Sequence, residues 1–506
     1  MVAALATDHP AADELEPLRV ILASLNRANV PYCHWKSNHT LDESLRGAVD
    51  LDLLVDERYA RGVAAAAQDA GAKAFRAPAA LTYPGVDHWL GYDARTGMLA
   101  HVHLYRKLVT GAGRLKAYEF PWADTVLSTR RFARAHDVYV ADPSVEWLLF
   151  SVRAMSNLRA RERLQARFGL GKLPAKLRTE HEWLAVRARE HDVHRLATRL
   201  LGRDIAPGMT SLFRSMSLRS LAALRSPVLR RLRPYRRYTV LGELWHGPLK
   251  DACWAWWTVG RRYLGRPAPP LLARPGDGVV VALVGPDGCG KSTVAKMLYA
   301  WLSEHLNAVS IYFGTGDGPV SWLRWPLRTA LGLRNRWRRH LEQSAHAESR
   351  ADAAAGFWET CGRTCWAVAV SYEKRCRLRR AHDARARGLV VICDRFPQSQ
   401  FPGLMDAPLL QRWLTHRVPA LRALARWERA PYEWAERHPP DVVIRLHASR
   451  NVVLRRKPTT ADDAERRIAV ARSLNYGRAA RVVDVDADAP LGDVVARVRR
   501  IVWDAL

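Results

Sequence analysis

Four things are scarce or missing in this 506-residue chain: paired cysteines, zinc-spaced His/Cys clusters, a leader and a long uncharged apolar run. The seven cysteines (33, 253, 289, 361, 365, 376 and 393) form no CxxC pair, which argues against a disulfide framework or a redox motif and fits a reducing cytosol. Cys361 and Cys365 are one helical turn apart and read as packing residues. The start, Met1 to Pro10, lacks the basic residues and apolar stretch of a secretory leader. No run approaches the ~18 residues a membrane-spanning helix needs. Acidic residues are also in short supply, 50 against 79 Lys and Arg, for a formal charge of +29. That surface favours anionic partners such as nucleotides, phosphosugars or acidic headgroups; an arginine-rich composition inherited from a GC-rich genome accounts for part of the excess.

What is present is organised around Val279–Thr293, where an apolar run enters Gly285-Pro-Asp-Gly-Cys-Gly290-Lys291-Ser292-Thr293. This is the spacing of a P-loop. A buried strand ends at Val284, glycines let backbone N–H groups turn toward phosphates, and the following helix adds its N-terminal partial charge. Gly285, Gly288, Cys289, Gly290, Lys291, Ser292 and Thr293 are therefore the candidate nucleotide-binding set. Lys291 would reach the terminal phosphates and Ser292 a magnesium ion. Further apolar strands are expected at Ala308–Phe313, Gly388–Cys393, Pro440–Leu446 and Arg481–Val485, with helices over about 344–387 and 461–478 between them. That alternation predicts a parallel, doubly wound sheet. The third strand runs into Asp394-Arg395, placing an acid where a magnesium ligand is needed and a guanidinium where an anion could be clamped.

In the N-terminal third, a helix is expected from Leu18, then a strand at Val49-Asp-Leu-Asp-Leu-Leu-Val55. Period-2 geometry sends Asp50 and Asp52 to one face. Two adjacent carboxylates repel unless a cation joins them, and a divalent metal carrying a nucleotide would serve. With Lys36-Ser37 ahead of it, this pattern resembles the nucleotidyltransferase superfamily over about residues 15–110. The resemblance implies a metal site on Asp50 and Asp52. It aligns the strand Met98–Tyr105 with the one that carries a third carboxylate, a position held here by His103. Helices are expected at Ser144–Arg153 and Glu180–His191.

Residues 205–275 are rich in arginine and tryptophan and punctuated by prolines at 227, 234, 248, 267, 269, 270 and 275. They read as a basic linker, with contact to an anionic membrane or membrane-bound partner as the sharper alternative.

The pairing of Gly-Pro-Asp-Gly-Cys-Gly-Lys-Ser-Thr with a distant Val-Ile-Cys-Asp-Arg-Phe is similar to the thymidylate kinase family of P-loop kinases, over roughly the last 230 residues. The resemblance implies that Asp287 positions the acceptor, Lys291 binds phosphate, Ser292 and Asp394 hold magnesium, and Arg395 grips the acceptor phosphate. Arg455 and Arg456 fall in a basic lid. Gly314 to Trp322 and Pro397 to Met405 depart from the thymidylate-binding pattern, so a different acceptor is expected.

The expectation is an α/β protein: a C-terminal P-loop NTPase with a doubly wound parallel sheet, and an N-terminal α+β nucleotidyltransferase-like domain with a helical extension. The boundaries are a disordered tail at 1–14, the first domain at 15–142, its helices at 143–204, the linker at 205–275 and the kinase-like domain at 276–506. The activity is ATP- and Mg2+-dependent phosphoryl transfer to a nucleotide, sugar or phosphosugar. Nucleotidyl transfer through Asp50 and Asp52, or a nucleotide-gated binding module without turnover, are the rival readings. The reading favours a cytoplasmic protein, some of it at the inner face of the membrane, leaves room for a homodimer, and disfavours nucleic acid as a partner.

Overall fold

The computed structural model describes residues 14–78, 81–111, 115–264, 271–314, 350–457, 460–477 and 480–506. Outside them lie the expected N-terminal tail up to residue 13, the stretch after Gly314 and the first six residues of the helix expected at 344–387. The chain divides into two compact units, Met1–Leu272 and Ala273–Leu506. Both are mixed α/β.

In the first unit, seven strands form one sheet: β1 (Tyr32–His34), β2 (Leu51–Val55), β3 (Lys73–Phe75), β4 (Val86–Tyr92), β5 (Leu99–Tyr105), β8 (Arg131–Ala133) and β9 (Val138–Val140), in the order β3-β4-β5-β2-β1-β9-β8. A separate pair is formed by β6 (Leu108–Thr110) and β7 (Tyr118–Phe120). β2 runs parallel to β5, and β4 antiparallel to β5. Alternation along β2 fixes its two faces. Leu51, Leu53 and Val55 join one core with Leu18, Ile21 and Leu25 of the helix Glu16–Arg27. Leu54 joins the other, with Trp147, Leu148 and Phe150 of the helix Pro143–Asn157.

The sequence reading departs from the structure in two places here. The helix expected over Glu180–His191 is two helices, Ala175–Arg187 and Glu190–Leu200, because Ala188 and Arg189 adopt extended backbone between them. The stretch read as a linker from 205 carries the helices Ala206–Arg214, Leu218–Arg231 and Val240–Leu264. Met209, Leu212, Leu218, Leu221 and Val228 are buried in the same core as the helix Pro143–Asn157. Pro227 and Pro248 lie inside helices rather than ending them. Ser217 caps the second helix by accepting from Ser220 N, which anchors its start. Trp245 and Trp256 are exposed on the third. Among the described residues no helix is long and apolar enough to cross a membrane.

The second unit holds β10 (Val279–Val284), β11 (Ala308–Tyr312), β12 (Val390–Asp394), β13 (Val442–His447) and β14 (Arg481–Asp486), all parallel, in the order β11-β12-β10-β13-β14. All of β10 and β12 is buried, as β-branched runs covered on both faces require. The chain leaves β10 toward one edge of the sheet and later returns to build the other. The carboxyl ends of β10 and its neighbours therefore flank a reversal in strand order, where open α/β sheets place ligands.

Candidate functional site

The carboxyl end of β10 passes through Gly285 into the helix Lys291–Leu302. Gly285 (φ +150°) is irreplaceable on space: a Cβ there would lie 2.5 Å from the Leu446 carbonyl oxygen and 2.8 Å from Cys289 Sγ. Gly290 caps the helix in left-handed backbone at φ +93°, with no atom of the described residues within 4 Å of where its Cβ would stand. Lys291 is buried, and its ammonium donates to the Gly285 and Pro286 carbonyls at 2.9 and 2.6 Å. Cys289 is buried beneath it, and Thr293 is exposed on the first turn.

Asp394 ends β12, which is in register with β10 so that Asp394 pairs with Leu283. Ser292 Oγ donates to Asp394 Oδ2 at 2.6 Å. The other oxygen, Oδ1, is buried without a hydrogen-bond partner among the described residues. Burial pushes the Asp394 carboxyl above its ordinary range, against the pull of the Ser292 bond, Lys291 and Arg395. A hard cation with oxygen ligands fits this pair: it would take the orphaned Oδ1 and the Ser292 hydroxyl and favour the charged carboxylate.

Arg395 follows in positive-φ backbone (+72°), with its N–H donating to the Leu283 carbonyl at 3.0 Å. That turn aims the guanidinium at two carboxylates, Asp287 Oδ1 at 2.6 Å and Asp406 Oδ2 at 3.3 Å. Asp287 also meets Lys457 Nζ at 3.1 Å, Arg467 Nη1 at 3.5 Å and Lys291 Nζ at 3.9 Å. Burial alone would raise its pKa, but Arg395, Lys291 and Lys457 hold it well below the ordinary aspartate range. Arg395 is shifted up despite burial by Asp406 and Asp287, so it stays charged at any working pH. The result is one anchored anion inside a ring of four cations.

In the first unit, Asp50 and Asp52 lie on one side of β2, as expected of their spacing. Asp52 Oδ1 takes Lys36 Nζ at 3.0 Å and His103 Nδ1 at 3.1 Å; Asp50 Oδ1 takes His101 Nδ1 at 2.9 Å. Burial raises both carboxyls, but the imidazoles hold Asp50 down to about 2, and Lys36 with His103 holds Asp52 lower still. Lys36 is set by the turn after β1, where Glu146 of the helix Pro143–Asn157 accepts from Asn38 N at 2.9 Å and Asn38 Nδ2 at 2.7 Å. A cavity of about 650 Å³ opens beside Asp52, lined by Trp35, Lys36, Tyr105, Lys116 and Arg153 among others.

No family model matches the chain. It is similar to YghR of Escherichia coli strain K12, an uncharacterized ATP-binding protein: 26% identical over 230 residues, which are 44% of this chain and 86% of that one. A second K12 protein, YghS, also named an uncharacterized ATP-binding protein, is 25% identical over 232 residues, covering 45% of this chain and 93% of YghS.

The structure brings Lys291, Ser292, Asp394, Arg395 and Asp287 together around one loop. It does not bring Arg455 and Arg456 there: Arg455 is exposed, and Arg456 Nη1 is 3.4 Å from the Ala487 carbonyl. Lys457 and Arg467 are the basic residues from this part of the chain that reach Asp287. The helix Arg450–Arg456 ends just before Lys457, so the side chain one position on turns to Asp287. Asp406, which fixes the far side of Arg395, carried no sequence signal. Nor did His88, which the antiparallel pairing of β4 with β5 sets opposite His103; the His-x-His spacing at 101 and 103 was the available clue.

Proposed function

We propose that the chain is an ATP-dependent phosphotransferase whose site is the loop Gly285–Ser292 with Asp394, Arg395 and Asp287. The observation that carries the reading is the 2.6 Å Ser292–Asp394 bond beside a buried Asp394 oxygen that has no partner among the described residues, directly behind a glycine loop and its lysine. The ATP-binding names of YghR and YghS support the choice of nucleotide.

Ser292 and Asp394 would hold magnesium, which would neutralise charge on the β- and γ-phosphates. Loop N–H groups and Lys291 bind the phosphates, with Lys291 exchanging its two carbonyl acceptors for phosphate oxygens. An acceptor oxygen forms its bond to the γ-phosphorus as the bond to the bridging oxygen of ADP breaks. Arg395 orients an anionic acceptor and stays charged throughout. Asp287, held anionic by its cations, is suited to positioning rather than to taking a proton. An acceptor phosphate needs no proton removed, which favours a nucleotide or phosphosugar over an unmodified sugar.

The test supplies Mg-ATP labelled on the α- or the γ-phosphate, with a panel of nucleotides, sugars and sugar phosphates, to wild type, Lys291→Ala and Asp52→Ala. Transfer of the γ label that falls by ~100-fold or more in Lys291→Ala is expected, since loss of one preorganised donor to developing charge costs about that much. Transfer of the α label that disappears in Asp52→Ala would replace this reading with nucleotidyl transfer in the first unit.

A further inference from the structure

The sheet of the first unit gathers three imidazoles on the face that carries Asp50 and Asp52. The register sets His103 beside Asp52 on one side and opposite His88 on the other, with His101 two residues earlier on the same face. One ring nitrogen from each of His88, His101 and His103 lies within 4.8 Å of the other two. His88 Nδ1 and His101 Nε2 are 3.2 Å apart.

Two features separate this cluster from a chance group of histidines. First, the outer nitrogens of two rings are already held by carboxylates: His101 Nδ1 by Asp50 at 2.9 Å and His103 Nδ1 by Asp52 at 3.1 Å. With the proton of each ring on Nδ1, both Nε2 atoms are left as lone-pair donors: that of His101 lies 3.2 Å from His88 Nδ1, and that of His103 lies 3.7 Å from Asp50 Oδ2, a contact between two electron-rich atoms that a cation would relieve. The two Nδ1 bonds are the carboxylate–histidine arrangement that orients and strengthens metal-binding imidazoles. Second, the Asp50–His101–His88 chain leaves His88 Nε2 buried with no hydrogen-bond partner among the described residues. A hydrogen-bond network built for its own sake would not strand a buried ring nitrogen there.

We propose that His88, His101 and His103 form a transition-metal site of the zinc class, with Asp50 and Asp52 acting as orienting groups on the outer nitrogens of His101 and His103. A tetrahedral ion with bonds of about 2.0–2.1 Å sets its nitrogen ligands roughly 3.4 Å apart. The candidate ligand nitrogens now lie within 4.8 Å of one another. Three imidazoles select zinc-like ions over magnesium, which prefers oxygen. Three protein ligands also leave a fourth position for water or an exogenous ligand. This site is separate from the phosphotransferase reading and stands or falls without it.

The full chain, stripped with chelator, is loaded with Zn2+ or Co2+ and passed through gel filtration, and bound metal is counted by mass spectrometry. One ion per chain is expected, undisturbed by excess Mg2+, with the visible absorption of tetrahedral Co2+. The His88→Gln/His101→Gln double variant and His103→Gln should each lose it, with circular dichroism confirming the fold. Asp50→Asn should keep the stoichiometry but bind about 10–100-fold more weakly. Zinc X-ray absorption on the wild type, which needs no variant, should show three imidazole nitrogens. A sulfur shell, an undiminished count in the double variant, or no retained metal in the wild type would overturn the site.

Discussion

Removing the charge of Asp287 should unsettle the second unit more than any other conservative change in the loop. In Asp287→Asn, Arg395, Lys291, Lys457 and Arg467 would face an amide where they now share a carboxylate at 2.6–3.9 Å. Removing one partner of a buried pair costs about 3–5 kcal/mol. Asp287 and Arg395 keep 20% and 23% of their side chains exposed, and Lys457 is more than half exposed, so solvent screens part of that cost. About 2–3 kcal/mol remains, or roughly 5–10 °C in Tm for a unit of this size. Scanning calorimetry reads it directly: the transition that Mg-ATP raises reports the second unit. The folded pKa of Asp287 is depressed, so its stabilisation is present above the unfolded aspartate value of about 3.9 and is lost as pH falls through the folded value. The gap between wild type and variant should therefore be full at pH 7 and close on acidification below about pH 4. Mg-ATP should narrow it at pH 7, because the phosphates offer the freed cations another anion. An unchanged or higher Tm at pH 7, or a gap that widens with Mg-ATP, would refute the reasoning.

Two further changes test other parts of the architecture. Lys36→Met leaves the Asp52 carboxylate, only 13% exposed, with the His103 bond alone and should lower the stability of the first unit by about 3 kcal/mol; adding Asp52→Asn should restore most of it in denaturant titrations. Gly285→Ala drives a Cβ to 2.5 Å from the Leu446 oxygen and should abolish both the Mg-ATP thermal shift and γ-label transfer. Gly290→Ala has open space around its Cβ, and should fold at a cost of about 1–2 kcal/mol for left-handed backbone.

Local pattern made some of this legible and pairing between distant strands hid the rest. The run Val279–Val284, its glycines and the following helix are contiguous, so the loop could be read directly, as could the strand leading into Asp394. The common face of Asp50 and Asp52 follows from period 2. Their neighbours do not: Lys36 and two imidazoles reach them through the turn after β1 and through β5. Lys457, Arg467 and Asp406 reach the loop only through tertiary packing. The helices over 206–231 were obscured because proline and arginine were read as linker signals. The periodic Leu218, Leu221 and Val228 hold that segment in the core while Arg219, Arg230 and Arg231 stay in water and Arg225 Nε donates to the Met155 carbonyl at 3.2 Å.

The order of strands in the second sheet has a consequence for synthesis. β10 is made first, yet both strands that flank it come much later: β12 begins at Val390 and β13 at Val442. Until then six consecutive apolar residues present two unpaired edges, the kind of surface that recruits another nascent chain. A ribosome that has finished the glycine loop has yet to make Asp394, and Ser292 meets that acid only across 102 residues of chain. On the phosphotransferase reading, nucleotide cannot guide the early stages of folding, because the acid that would complete its cradle emerges late. Shielding of the β10 edges by a chaperone is the demand this topology places on the cell.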